Sequence, residues 1–135
     1  MNIAIRKAVP ADSPRLEVIE RLSFADPSWN APDFFLYDCV VAEIEGKIAG
    51  FIVSRSVFPE REILNLAVAP EWRRRGVAKA LLHYQLAQGG THFLEVRESN
   101  LAAQSLYRLF GFQEVGRRIG YYDLPAESAI VMRMK

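Results

Sequence analysis

The chain has 135 residues, 50% hydrophobic, 24% charged and 11% aromatic, with 17 basic against 16 acidic side chains. This is the profile of one compact soluble domain over residues 1–135. Such a chain is long enough to bury roughly two-thirds of its extended surface and too evenly charged to hold a polyanion by its overall field. The lone Cys39 excludes an internal disulfide; with only His83 and His92 as further soft ligands, no metal site is expected.

No apolar run reaches the roughly 20 residues that span a bilayer, and the first ten residues lack a secretory apolar stretch, so a reduced cytoplasmic protein that avoids membranes is expected. Ile3, Ile5 and Ala8-Val9, interleaved with Arg6 and Lys7, predict a strand ended by Pro10. A helix follows, capped by Asp12 or Ser13, with Pro14 in its first turn and Leu16, Ile19, Glu20 and Leu22 at helical spacing. Residues 24–35 carry Pro27, Asn30 and Pro32 among Phe24, Trp29 and Phe34, which predicts a packed loop with a short helix.

Cys39 to Ile44 and Lys47 to Ser54 around Glu45-Gly46 give a hairpin signal, with Cys39 packed inside it. A strand from Glu62 to Ala69 stops at Pro70. The basic stretch Trp72-Arg73-Arg74-Arg75-Gly76 then opens a helix with Val77, Ala80, Leu81, Tyr84 and Ala87 on one stripe, ending at Gly89-Gly90. His92 to Arg97 reads as a strand with an exposed start, and His83 as a helix-surface residue. Leu101 to Phe110 reads as a helix closed by Gly111, with Phe112 to Ile119 and Ala129 to Met134 as last strands. The order βαββ(β)αβαββ predicts an α+β fold: a mixed, mostly antiparallel sheet of about seven strands with helices on both faces.

The strand, basic loop and helix from Leu64 to Leu82 are the strongest chemical signal. A helix N-terminus offers unpaired N–H groups and a positive dipole end to an anion. Gly76 allows close backbone approach, and Arg73, Arg74 and Arg75 add charge-assisted bonds of the kind phosphate oxygens accept. The spacing Arg73-x-x-Gly76-x-Ala78 after a strand favours a pyrophosphate site over a solvated charge run.

The segment Asn65 to Ala78 resembles the acetyl-CoA motif of the GNAT acyltransferase superfamily, whose loop reads Gln/Arg-x-x-Gly-x-Gly/Ala. Phe93 to Asn100, with Ala102-Ala103, Leu106-Tyr107 and Phe110-Gly111-Phe112, resembles the bacterial branch that acetylates the N-terminal alanine of a ribosomal protein. The resemblance implies splayed central strands that admit the pantetheine arm. It implies N–H groups along Leu66, Ala67 and Val68 on that arm and the thioester carbonyl, and loop amides from Arg74 through Gly76 and Val77 to Ala78, beside Arg73 and Arg75, on the pyrophosphate. Asn100 matches a position that hydrogen-bonds the cofactor arm, and capping the helix begun at Leu101 is compatible with that.

The same resemblance makes Glu95 a general base acting through water and Tyr107 the acid that protonates the coenzyme A thiolate. From the residues alone, Glu95 could be a surface partner of Arg97, and Tyr107 a core aromatic with a wet tip. Tyr121-Tyr122 resemble paired tyrosines beside the entering peptide, where structural packing is the alternative; Ile119-Gly120 stands where relatives carry Arg-Asn. An α-amine, with pKa about 7.7–8.0 against about 10.4 for lysine, suits a weak base better, so a protein N-terminus is the expected acceptor. A small amine or internal lysine, and a non-catalytic acyl-CoA sensor, are the alternatives. One basic loop does not make a nucleic-acid track. A monomer or homodimer is expected.

Overall fold

The computed structural model describes residues 2–24, 29–123 and 126–134; in the expected aromatic loop, positions 25–28, with Pro27, lie outside the described residues. The described strands are β1 (Ala4–Lys7), β2 (Asp38–Ile44), β3 (Lys47–Val57), β4 (Glu60–Val68), β5 (His92–Arg97), β6 (Gln113–Asp123) and β7 (Ala126–Met134). The helices are α1 (Ser13–Ser23), α2 (Val77–Leu86) and α3 (Leu101–Leu109), with short 3-10 turns at Pro10–Asp12, Ala31–Phe35 and Pro70–Trp72. The strands form a seven-stranded mixed sheet ordered β1-β2-β3-β4-β5-β7-β6, with β4 parallel to β5 and antiparallel ladders at β1/β2, β2/β3, β5/β7 and β6/β7. This is the α+β architecture expected from the sequence. Among the described residues no helix is long and apolar enough to cross a membrane.

The chain divides into two compact units, Met1–Arg55 with Leu64–Gly89 and Ser56–Ile63 with Gly90–Lys135. In the first, Glu45 (φ 54°) and Gly46 (φ 77°) both take left-handed backbone, the tight turn that matches strand twist. The register pairs Cys39 with Val53 and Val41 with Phe51, which puts these four on one face; Val40, Ala42, Gly50, Ile52 and Ser54 take the other. The first face meets Leu16 and Ile19 of α1, Phe34, Ala67 of β4 and Ala69 just beyond it in one apolar cluster. The second takes α2: Ser54 Oγ donates to Gln85 Oε1 at 3.1 Å, and a Cβ on Gly50 would stand 3.1 Å from Val77 Cγ1. Helices therefore flank both faces of the β2–β3 hairpin.

Cys39 lies in this core, where burial pushes its thiol up to about 12. Trp29 packs on Phe34 and Tyr37 with ring centroids at 5.4 and 5.9 Å, so the described part of the aromatic loop is packed. Two expectations fail on α1. Leu22 is exposed, because the buried stripe is Leu16, Ile19 and Glu20, with Asn65 Nδ2 donating to Glu20 Oε2 at 2.8 Å. Asp12 does not cap the helix with its side chain. Its carboxylate turns back to accept from the Val9 N–H at 2.8 Å and pairs with Arg6 at 2.9 Å, an ion pair that outcompetes the helix amides. Arg6 holds the Asp12 carboxyl below its usual range, against the opposing effect of burial.

In the second unit β4 pairs with β5 through Arg61↔His92, Glu62↔Phe93 and Ile63↔Leu94. On its other side β5 pairs with β7 from His92↔Met134 to Arg97↔Ala129. His92, expected at an exposed strand start, is 0% exposed: ladders on both sides enclose it, and its Nδ1 lies 3.1 Å from the Gly90 carbonyl oxygen. Along β5, His92, Leu94 and Val96 are buried while Phe93, Glu95 and Arg97 share the half-buried face. The β6/β7 hairpin runs well past the expected Ile119 because Gly120 (φ 64°) absorbs a register shift between Arg118 and Tyr122 without ending the strand.

Candidate active site

In the first unit the end of β4 leads into a loop shaped by two left-handed residues, Arg74 (φ 61°) and Gly76 (φ 80°). Gly76 is required by its dihedral and not by space, since a Cβ there would meet nothing within 4 Å. Arg73, Arg74, Arg75 and Gly76 are exposed, so the first amides of α2, which have no intrahelical acceptors, stand beside three guanidinium groups. Arg73 Nε donates to the Val68 carbonyl at 3.2 Å, tying the loop to the strand, and the Arg75 guanidinium lies 5.5 Å from the Trp72 ring centroid.

Upstream, Ala67 is buried while Leu66 and Val68 are half-buried. The Ala69 N–H donates to the Ala49 carbonyl at 2.7 Å, which locks the strand end against β3. The unit thus assembles Leu66, Ala67, Val68, Arg73, Arg74, Arg75, Gly76, Val77 and Ala78 along one continuous strand-loop-helix path. Its donor set, first-turn amides without intrahelical acceptors plus exposed arginines, fits a diphosphate.

In the second unit the register Glu95↔Val131, Arg97↔Ala129, Arg118↔Ala129 and Tyr122↔Glu127 sets Glu95, Arg97, Arg118, Tyr122 and Glu127 on one sheet face. Glu95 is 13% exposed at its side chain. Its Oε1 lies 3.2 Å from Arg118 Nε, and its Oε2 is buried without a hydrogen-bond partner among the described residues. Arg97, the expected partner of Glu95 in its surface reading, has Nη1 on Glu127 Oε2 at 3.1 Å and its guanidinium 4.1 Å from the Tyr122 ring centroid. Glu127 also accepts from the Ser99 N–H at 2.9 Å and the Ser99 hydroxyl at 3.0 Å, which hold its carboxyl below the usual range.

Tyr121 and Tyr122 meet edge to face at 5.1 Å, and Arg118 lies 5.3 Å from the Tyr121 ring centroid. Burial pushes the Tyr122 phenol up, and the charge of Glu95 adds to the shift. Tyr107 on α3 is 7% exposed, with its ring 5.6 Å from Phe112. Burial, assisted by Tyr122, raises its phenol well above the ordinary value, so it stays protonated over the whole physiological range. Asn100 is the N-cap of α3, its Oδ1 accepting the Ala103 N–H at 3.1 Å.

Sequence reasoning did not single out Arg118, Glu127 or Gln104. Gln104 is buried and donates through Nε2 to the carbonyls of Arg97 (3.2 Å) and Glu98 (2.9 Å), fixing the end of β5. The signal for Arg118 and Glu127 lay in cross-strand pairing, which spacing along the chain does not carry. Gln104 carried a weaker local signal, as a polar residue three positions before Tyr107 on the helix face that turns inward.

The acetyltransferase (GNAT) family matches residues 9–112. The alanine N-acetyltransferase of ribosomal protein bS18 from Escherichia coli K12 is 40% identical over 96 residues, 66% of this chain and 65% of its own length. The chain thus spans slightly under two thirds of that relative. The enzyme of the same description from Salmonella typhimurium is 33% identical over 135 residues, 91% of this chain and 90% of its own. The crystal structure of the ribosomal-protein-S18-alanine N-acetyltransferase from Escherichia coli superposes with a TM-score of 0.88 at 32% identity, covering 98% of this chain and 93% of that one. This chain belongs to the acetyltransferase (GNAT) family, whose acetyl donor is acetyl-CoA.

Proposed function

We propose that this chain acts as one cytoplasmic domain that transfers an acetyl group from acetyl-CoA to the N-terminal α-amine of a protein, the ribosomal-protein-alanine type of acceptor. The observation that carries the reading is the Glu95 carboxylate: one oxygen is held by Arg118, and the other is buried and unpartnered on a face shared with Tyr122. A buried acceptor oxygen without a donor is costly, and an incoming amine or its bridging water would satisfy it. The relatives named as alanine N-acetyltransferases support this choice of acceptor.

Acetyl-CoA supplies an activated thioester. The loop amides from Arg74 to Ala78, with Arg73 and Arg75, bind its diphosphate, and the backbone of Leu66, Ala67 and Val68 orients the arm and polarises the carbonyl. Glu95 takes the proton that the attacking amine loses as the new C–N bond forms, directly or through one water. Tyr107, kept protonated by burial, delivers a proton to the sulfur as the C–S bond breaks. Asn100 adds a side-chain contact to the arm while it caps α3, and Tyr121 and Tyr122 flank the entering peptide.

The test is mass spectrometry of peptides beginning with Ala, Ser, Met or Gly, and of free small amines, after incubation with acetyl-CoA and the wild-type or Glu95→Gln protein. Transfer to α-amines, led by Ala and lost in the variant, is expected. Robust transfer only to small amines or lysine side chains would overturn the acceptor, and an active Glu95→Gln would overturn the base.

A further inference from the structure

The side chains around Glu95 form a circuit of successive contacts within the second unit, open at its two ends, Glu95 and Glu127. Glu95 meets Arg118 at 3.2 Å, Arg118 faces the Tyr121 ring at 5.3 Å, Tyr121 meets Tyr122 edge to face at 5.1 Å, Tyr122 lies 4.1 Å from Arg97, and Arg97 is tied to Glu127 at 3.1 Å. Glu95 and Arg97, both members of this circuit, sit two residues apart on the same face of β5. Each link is an ion pair, an aromatic contact or a cation over a ring, so none of the six side chains can turn without disturbing its neighbours.

Within this circuit Arg118 acts on one atom of Glu95. It occupies Oε1 and leaves Oε2 buried and unpartnered. A carboxylate free to rotate would offer either oxygen, and a solvent-facing oxygen would be satisfied by bulk water. With Oε1 occupied, one defined oxygen is left to accept from the amine. Arg118 itself is 59% exposed at its side chain and contributes little to the core. Its contact with the Tyr121 ring also joins the orientation of the base to a tyrosine assigned to the peptide.

We infer that Arg118 is a positioning residue for Glu95, holding the carboxylate so that Oε2 alone faces the acceptor amine and coupling that orientation to Tyr121. This inference rests on the reading of Glu95 as the base. It gives Arg118 no contact with acetyl-CoA or with the reacting atoms. Misplacing a catalytic group by a fraction of an ångström lowers turnover without changing ground-state binding of the donor.

The experiment is a double-mutant cycle on the full chain, with Arg118→Gln, Arg118→Lys, Glu95→Gln and the Glu95→Gln/Arg118→Gln pair, assayed for kcat and KM on an Ala-initiated peptide and on acetyl-CoA. Arg118→Gln should lower kcat on the order of tenfold with KM for acetyl-CoA unchanged. Arg118→Lys should recover part of that loss, since it keeps the charge and loses the planar fork. Within the Glu95→Gln background, Arg118→Gln should add nothing.

Losses that multiply in the double variant would overturn the inference and assign Arg118 a separate contact, such as an acidic acceptor side chain. A wild-type kcat in Arg118→Gln would also overturn it. A wild-type rate in Glu95→Gln alone would instead sink the base assignment, which keeps the two failures distinct. Thermal midpoints measured alongside identify any variant that is misfolded, and Arg118→Lys then supplies the deciding rate.

Discussion

Gly50→Ala tests whether the donor loop is held in place by the close approach of β3 to β4. A Cβ at this position would stand 2.7 Å from the Ala67 carbonyl oxygen, 3.3 Å from Val68 Cα and 3.1 Å from Val77 Cγ1. Two of the three obstacles are backbone atoms of the strand that leads into the loop, and the third is on the first residue of α2. Relief therefore requires moving β4 or the helix start, because no rotamer change removes a backbone contact.

Overpacking of this kind costs about 1–3 kcal/mol. An unfolding entropy of about 2.1 cal/mol/K per residue gives about 0.28 kcal/mol/K for the 135-residue chain, so the thermal midpoint should fall by about 4–11 °C. Because the displaced atoms lie along Ala67, Val68 and Val77, KM for acetyl-CoA should rise about fivefold, equivalent to about 1 kcal/mol. Differential scanning calorimetry and initial-rate kinetics at saturating acceptor measure the two effects. Gly116→Ala is the matched control: its Cβ would meet nothing within 4 Å, and the midpoint should hold or rise. A Gly50→Ala protein with wild-type midpoint and KM would refute the packing argument.

Two further outcomes follow from single groups. Tyr107→Phe keeps the ring against Phe112 and removes only the hydroxyl, so kcat at saturating acetyl-CoA should drop about 10²-fold with the thermal midpoint nearly unchanged; unchanged turnover would remove Tyr107 as the acid. Asp12 has its folded-state pKa lowered from 3.8, first by Arg6, so the ionised form favours the native state. Its contribution is present above the unfolded value and disappears as pH falls through the folded one. Asp12→Asn should therefore lower the midpoint at neutral pH, and the gap to wild type should close progressively as the pH falls below the ordinary aspartate value. A gap independent of pH would show that shape and not charge matters there.

The elements legible in the sequence were those with a local period and a local stop. β5 was readable to the residue because His92 to Arg97 alternates between a glycine pair and a turn, and α2 because its apolar stripe starts at Val77, just after Gly76, and ends before Gly89. What failed depended on partners outside the element being read. His92 looks exposed until β4 and β7 close on both sides of it, and Asp12, although it stands at the N-cap of α1, gives its oxygens to Arg6 and Val9 instead of to the helix amides. Gly120 looks like a strand end but serves as a bulge, its N–H donating to Ser128 Oγ at 3.2 Å. The proposed site divides the same way. The glycine and arginines of the loop were visible because backbone conformation writes itself into local sequence. The environment of Glu95 was not, since Arg118 lies 23 positions away and reaches it only through the pairing of both strands with β7.

That environment bears on the choice of acceptor. Carboxylates in general are poorly suited to strip a proton from a lysine ammonium, whose ordinary pKa of about 10.4 leaves only about 0.04% neutral at about pH 7. An α-amine near 7.7–8.0 is about 10–20% neutral under the same conditions, an advantage of about 300-fold before any contact with the protein is made. The base then need not deprotonate an ammonium ion. It has only to accept the second proton, the one that becomes acidic as nitrogen bonds to carbon, and a single buried oxygen in a fixed position suffices for that. On the proposed reading, selectivity between chain termini and lysines begins with the acceptor's own acidity, and the fixed, one-sided presentation of Glu95 is the feature of this site that exploits it.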